Sequence, residues 1–436
     1  MNQVKRRVQD FLIQYQMDAG RLDMEEYSQG FRAQMRRGLE GGPSSLSMLP
    51  TYLEVGREVP RNRKVIVLDA GGTNFRVATV YFDAAQNPVI ENFKKFPMPG
   101  VGREVDKEEF FGTLAGYMTE VAGLCDRIGF CFSYPVEMFP NKDGRLIHFT
   151  KEVKAKTVEG EFIGAGLNRA LETAGYPAKR IVVLNDTVAT LLAGVSESKG
   201  AVYGDYIGFI LGTGTNVAYV EKNSNIKKAT GLDSKKRMII NVESGGFDGI
   251  PQGRIDREFD ATTIDPGKYI LEKTVSGRYL GDICHQVIRT AVAASLFSPG
   301  AAAELSQMKS LTTVDLNQFL HQPFNDAELP ASALKQGNED DRMALYYLID
   351  GIIERAAKSA AICMAAAVLQ AGTGGDPTRP ICFTAEGTTF YQLKSFKSKI
   401  EYYLKQYLND QKDSYLELVN IANATLIGAA VAGLTN

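Results

Sequence analysis

Two stretches far apart in the chain share one grammar, and together they restrict the folds open to it more than any other feature. The first runs Val65-Ile66-Val67-Leu68-Asp69-Ala70-Gly71-Gly72-Thr73-Asn74-Phe75-Arg76-Val77, the second Ile207-Gly208-Phe209-Ile210-Leu211-Gly212-Thr213-Gly214-Thr215-Asn216-Val217-Ala218. Each is an apolar run short enough for a buried strand, a turn of Gly, Thr and Asn, and a second apolar-rich run. This pattern predicts two β-hairpins with bare tips. Glycine lacks the Cβ that would hold an anion away, so such a tip can bring backbone N–H groups and hydroxyls up to a phosphate. Either tip alone is an ordinary tight turn. A pair of them, with Thr73 and Thr215 in separate halves of the chain, points to phosphate, and Asp69 adds a candidate metal-facing carboxylate. No Walker loop occurs, and Gly212-Thr213-Gly214 lacks the third glycine of a dinucleotide fingerprint.

Composition removes several function classes. At 436 residues the chain has room for two or three domains. A net charge of −2 leaves no basic excess for nucleic acid or an anionic membrane surface. The five cysteines, Cys125, Cys131, Cys284, Cys363 and Cys382, are odd in number and form no C-x-x-C, so they read as reduced core residues of a cytoplasmic protein. His148, His285 and His321 are too dispersed for a zinc site or a histidine triad. Acid–base chemistry therefore falls to carboxylates. The N-terminus has no secretory apolar core, and the Ala-rich run 359–369 is shorter than the roughly 20 residues a membrane span needs, which suits a buried helix.

Periodicity predicts helix through residues 1–40, as a dimer arm or a helix packed on the larger body of the protein, then adjacent strands over 64–96. A helix over 107–124 and a strand over 128–132 follow, then a turn at 141–144, a return strand over 145–151, a helix over 160–174 and a strand over 180–184. That last strand ends on Asn185-Asp186-Thr187 ahead of a helix over 188–194. The second hairpin begins a new sheet, followed by helices over 254–259, 280–296 and 340–370, a strand over 381–385, a helix over 391–408, a strand near 415–418 and a small-residue helix ending at 434. Strand, polar tip and helix recur in the order of an open α/β sheet, whose ligands bind at the carboxyl ends of strands.

Asp186 is the strongest single candidate residue. Asn185-Asp186-Thr187 could simply cap the next helix, the commoner use of such residues. Yet a carboxylate at a strand end facing a phosphate-binding hairpin is what phosphoryl transfer to an alcohol requires, namely a group that accepts the hydroxyl proton. A polyhydroxylated acceptor also needs amides and carboxylates to pair its hydroxyls. Asn216, Glu243 and Glu272 could supply them, although spacing alone would leave Glu243 and Glu272 as surface acids.

Taken in order, Met48-Leu49-Pro50-Thr51-Tyr52, the Leu68 to Arg76 stretch, Phe132-Ser133-Tyr134-Pro135, Phe149-Thr150-Lys151, Leu184-Asn185-Asp186-Thr187-Val188, Gly212-Thr213-Gly214-Thr215-Asn216 and the Glu243 and Glu272 segments closely resemble the eukaryotic-type hexokinase family. The resemblance implies an α/β, actin-like (ribonuclease H-like) fold of two lobes, each around a mixed five-stranded sheet flanked by helices. One lobe would comprise 63–188 with 421–436, the other 1–62 with 189–420. It implies transfer of the γ-phosphoryl group of ATP, with Mg²⁺, to the 6-hydroxyl of a hexose, glucose above all, by a monomer or homodimer. Position by position, Asp186 becomes the general base and Lys151 a positive charge beside the transferred group. Ser133, Thr150, Lys151, Asn185, Asp186, Asn216, Glu243 and Glu272 bind the sugar. Asp69 holds Mg²⁺ through water, while Gly71, Gly72, Thr73, Asn74, Gly212, Thr213, Gly214, Thr215, Gly387 and Thr388 hold the nucleotide.

Three positions depart from the family pattern. Ser244 stands where a tryptophan is usual, Glu386 where an aspartate is, and the glycine-rich loop before the last helix reads Asn423-Ala424-Thr425-Leu426-Ile427-Gly428-Ala429-Ala430. A non-catalytic sugar-binding regulator on the same fold is the alternative from another class. Retention of Asp69, Lys151 and Asp186 together argues against it.

Overall fold

A computed structural model describes residues 3–56, 58–149, 153–197 and 201–436. In chain order its strands are β1 (Leu49–Pro50), β2 (Val65–Ala70), β3 (Asn74–Phe82), β4 (Pro88–Pro97), β5 (Arg127–Phe132), β6 (Val136–Met138), β7 (Gly144–Leu146), β8 (Arg180–Leu184), β9 (Asp205–Leu211), β10 (Thr215–Lys222), β11 (Arg237–Asn241), β12 (Ile381–Glu386) and β13 (Leu416–Val419). The first sheet runs β4-β3-β2-β5-β8 and the second β1-β11-β10-β9-β12-β13. Leaving out β1, the two follow one path: an antiparallel meander of three strands, then two strands added in parallel. The repeated hairpin of the sequence is thus the visible part of a repeated sheet. The short edge strand β1, Leu49 opposite Asn241, widens the second copy to six strands.

Burial on both faces explains the unbroken apolar runs. Every residue of β2 is buried, as strands covered on two sides must be, whereas β4 at the sheet edge has no fully buried residue. On its outer face the first sheet packs Ile66 and Phe130 against Phe110, Leu114 and Leu167 of helices Lys107–Tyr117 and Ile163–Thr173. Its inner face, with Val65, Val67 and Cys131, meets Leu192 and Ala429 of two helices, Asp186–Glu197 and Ala424–Thr435, that share a core with Ala218 and Ile239 of the second sheet. The outer face of the second sheet lies against the 33-residue helix Glu339–Ala371. The N-terminal helices Gln3–Gln14 and Met24–Glu40 pack along that helix.

The run of small residues near the C-terminus has a packing cause. A Cβ on Gly428 would lie 1.8 Å from the Ala189 carbonyl oxygen, and one on Gly129 would lie 1.8 Å from that of Ala429. Helix Ala424–Thr435 therefore touches both its partner helix and β5 backbone to backbone. Among the described residues no helix is long and apolar enough to cross a membrane, and the 359–369 run is interior to the long helix.

Some elements are shorter than periodicity predicts. The N-terminal pattern divides into two helices, the second restarted where Asp23 Oδ1 accepts the Glu26 N–H at 2.8 Å. The helix predicted over 107–124 stops at Tyr117 and continues as turns. Among the described residues the return strand is Gly144–Leu146, and 150–151 of the predicted span lie outside them. The helix predicted over 391–408 is broken at Ser395, which takes a positive φ of 60°. Polar side chains and local turns end these segments where hydrophobic spacing alone would carry them on.

Candidate functional site

The two halves meet over one cavity. Tyr134, Leu184 and Asn185 line it from one side, Thr51, Asn241 and Glu243 from the other, Thr51 being tied to β11 by its hydroxyl on the Ile239 carbonyl. Asn185 follows β8 directly, and its Oδ1 accepts the Thr187 N–H at 2.9 Å. Asp186 opens the next helix, with Oδ1 accepting the same N–H at 2.8 Å. The tripeptide therefore starts the helix, and its first residue, Asn185, lines the cavity.

Opposite, an amide relay fixes Glu243. Asn216 Oδ1 accepts the Val217 N–H at 2.7 Å and the Ser244 N–H at 3.1 Å, so its amide can only donate onward, to Asn241 Oδ1 at 2.7 Å. Asn241 Nδ2 then donates to Glu243 Oε1 at 2.8 Å. Glu243 holds a left-handed φ of 57°, a conformation unfavourable for a residue with a side chain. Burial pushes its carboxyl up to about 7 against the pull of Asn241, with Asp186 and Glu272 adding to the rise. Sequence reading found Asn216 and Glu243 and missed Asn241. Its signal was present: Asn241 lies two residues before Glu243 at the end of β11.

Glu272 joins the same wall through its Oε2, which accepts the Thr215 N–H at 3.1 Å. A Cβ on Gly214 would come within 2.7 Å of that oxygen and one on Gly245 within 3.1 Å. The last glycine of the second tip thus makes room for a carboxylate.

The hairpin tips carry exposed hydroxyls, Thr73 in the first and Thr213 in the second. Tyr134 Oη donates to the Gly71 carbonyl at 2.7 Å and holds the first tip from beneath. The second tip is tied to the end of β12, where Thr389 Oγ1 donates to the Gly212 carbonyl at 2.9 Å. Gly387 is obligatory there, because its φ is +122° and a Cβ would sit 2.2 Å from the Leu211 oxygen. Thr388 begins the short helix that follows. Ser133 leaves β5 half-buried, its N–H donating to the Ala70 carbonyl at 3.1 Å. Thr150 and Lys151 lie outside the described residues.

Asp69, the penultimate residue of β2, lies directly across the hairpin from Arg76, and its Oδ2 accepts Arg76 Nη1 at 3.3 Å and Thr425 Oγ1 at 3.0 Å. Burial raises its carboxyl above the usual range, Arg76 and Thr425 oppose this, and Asp186 pushes the same way as burial. Glu386 is raised too, first by burial, then eased by the Ala424 N–H and Arg76, and pushed further by Asp69 and Asp186. Carboxylates from both sheets thus crowd one region. Among the described residues no three His, Cys, Asp or Glu side chains form a metal cage. This donor set fits Mg²⁺, which keeps several waters and takes one or two carboxylates plus substrate phosphates.

Comparison with known proteins points to one family. Residues 7–195 and 206–435 match two family models, each described as hexokinase. Hexokinase-5 of Oryza sativa subsp. japonica is 30% identical, over 91% of this chain and 83% of that protein. Hexokinase-1 of Arabidopsis thaliana is 29% identical, over 94% and 87%. A solved structure of a hexokinase from Schistosoma mansoni complexed with glucose superimposes with a TM-score of 0.76 at 23% identity, covering 99% of this chain and 100% of that one, a likeness of fold.

Proposed function

The chain belongs to the hexokinase family, and from that premise we propose that it moves the γ-phosphoryl group of ATP to the 6-hydroxyl of glucose or a similar hexose, using Asp186 as base. As a family member it is an ATP-dependent phosphotransferase acting on a hexose. The observation that carries the residue assignment is the meeting of Asn185 from the first half with Asn241 and Glu243 from the second around one cavity, with the neighbouring Asp186 carboxylate close enough to raise that of Glu243. We take residues 63–188 with 421–436 as one lobe and 1–62 with 189–420 as the other, a division supported by helix Ala424–Thr435 lying on β2 and β5. The unpaired cysteines suit a cytoplasmic protein.

In this reading Asn185, Asn216, Glu243 and Glu272 pair the sugar hydroxyls, with Ser133, Thr150 and Lys151 completing the ring. Asp186 takes the proton of the 6-hydroxyl as its oxygen bonds to the γ-phosphorus. The bond from phosphorus to the bridging oxygen breaks, leaving ADP and hexose 6-phosphate. Residues Gly71 to Asn74 and Gly212 to Thr215, with Gly387 and Thr388, would hold the phosphates in line, and Lys151 would add a positive charge for the transferred group. Mg²⁺ held by the phosphates and, through water, by Asp69 would neutralise charge on the phosphates.

The direct test is hexose-dependent ADP release from Mg-ATP by the purified protein, with glucose first, then fructose, mannose and other phosphoryl donors. Glucose-dependent turnover is expected. No turnover with any pairing, alongside calorimetric glucose binding, would make the chain a sugar binder and refute the proposal.

Glu243 gives a second expected result. Its carboxyl, pushed up to about 7 by burial, is partly protonated near neutrality, and sugar hydroxyls that donate to it favour the ionised form. Glucose binding at pH 6.5 should therefore release protons and tighten as pH rises through 7. Calorimetry in buffers of different ionisation enthalpy reads that release, and the Glu243→Gln variant should lack it. Equal proton release in wild type and variant would show that another group titrates.

A further inference from the structure

Helix Ala424–Thr435 starts without a capping side chain from Asn423, which takes a left-handed φ of 58°. Its first turn is held instead by carboxylates from two sheets. Glu386, at the end of β12, accepts the Ala424 N–H, while Asp69, one residue before the end of β2, accepts Thr425 Oγ1 at 3.0 Å. Thr425 and Arg76 both donate to Oδ2 of Asp69, so two fixed donors from different elements orient one carboxylate. Leu426, fully buried beside Thr425, pins the start of the helix. A hydroxyl that only capped its own helix would accept a backbone N–H of the following turn. This one donates to a residue 356 positions away.

We propose that Thr425 is a positioning residue that holds the Asp69 carboxylate in the orientation needed by the metal–nucleotide complex. The proposal rests on the reading of Asp69 as metal-facing. Partners that orient a metal-binding carboxylate typically account for 10-fold or more in metal affinity or activity. Thr425 would provide this through a single hydrogen bond.

The test compares Thr425→Val, which keeps the shape and removes the hydroxyl, with Thr425→Ser, which restores it, and with Asp69→Asn. Calorimetry measures the affinity of a non-hydrolysable ATP analogue for the glucose-loaded full chain, with and without Mg²⁺. In Thr425→Val the gain in affinity due to Mg²⁺ is expected to shrink by about 10-fold, while metal-free analogue affinity, glucose affinity and the thermal transition stay near wild type. Thr425→Ser should recover the gain. A wild-type Mg²⁺ gain in Thr425→Val, with the gain lost in Asp69→Asn, would overturn the role of Thr425 alone. An unchanged gain in Asp69→Asn would overturn the reading of Asp69 and this proposal with it. A fall in Thr425→Val that is equal with and without metal would make Thr425 a structural residue and also overturn the proposal.

Discussion

Replacing Asp186 by alanine should lower kcat for glucose phosphorylation on the order of 10³-fold, the usual contribution of a positioned general base, and leave the protein folded and able to bind sugar. The fold should survive because Asn185 Oδ1 already accepts the Thr187 N–H at 2.9 Å, so the start of helix Asp186–Glu197 keeps an acceptor without Asp186. Sugar affinity should change only a few-fold, since Asn185, Asn216, Glu243 and Glu272 remain. The loss should appear in kcat and kcat/KM together, as expected for a group whose contribution is made in the transition state. Steady-state kinetics with calorimetry on the same preparation separate the two effects. Turnover near wild type would remove Asp186 as the base, loss of the thermal transition would mean its role is structural, and loss of glucose binding in a folded variant would make it chiefly a sugar ligand.

The second large effect concerns Gly428. An added methyl would lie 1.8 Å from the Ala189 carbonyl oxygen, a contact with backbone that no rotamer can relieve. Helices Asp186–Glu197 and Ala424–Thr435 would have to separate, and both belong to the core between the sheets. Overpacking of this kind costs about 1–3 kcal/mol and sometimes more. Contact with main chain puts Gly428→Ala at the upper end, about 3 kcal/mol, seen as a clearly lower thermal transition or loss of soluble protein. Gly116→Ala is the control, since a Cβ there, in helix Lys107–Tyr117, would meet nothing within 4 Å. It should be neutral or slightly stabilising, because alanine is the better helix former. A thermal transition in Gly428→Ala equal to that of wild type would show that the helices can move apart freely.

Much of this could be read from local chemistry. The hairpins of β2 with β3 and β9 with β10 follow from apolar runs and Gly-Thr-Asn turns, and Asp186 stands at a strand end because apolar residues 181–184 lead to it. Glu243 and Glu272 were different. Spacing left them as surface acids, and only the set of motifs they share with the hexokinase family singled them out. The helix over 107–124 was overread because hydrophobic spacing continues past Tyr117 although the chain there folds into turns.

By itself the sequence determined the strands, the bare tips, the small-residue helix and the carboxylates available for chemistry, because periodicity and turn preference act within a few neighbouring residues. Only the tertiary structure decided how these groups are used. Asn241 orients Glu243 because β11 runs beside β10, bringing Asn216 into reach. Gly214 is small because Glu272 comes to rest against it. Thr425 meets Asp69 across 356 residues. Hydrogen-bond pairing and burial, which raises the carboxyls of Asp69, Glu243 and Glu386, depend on surroundings assembled from distant segments, and such surroundings exist only after both sheets have packed on the same two helices.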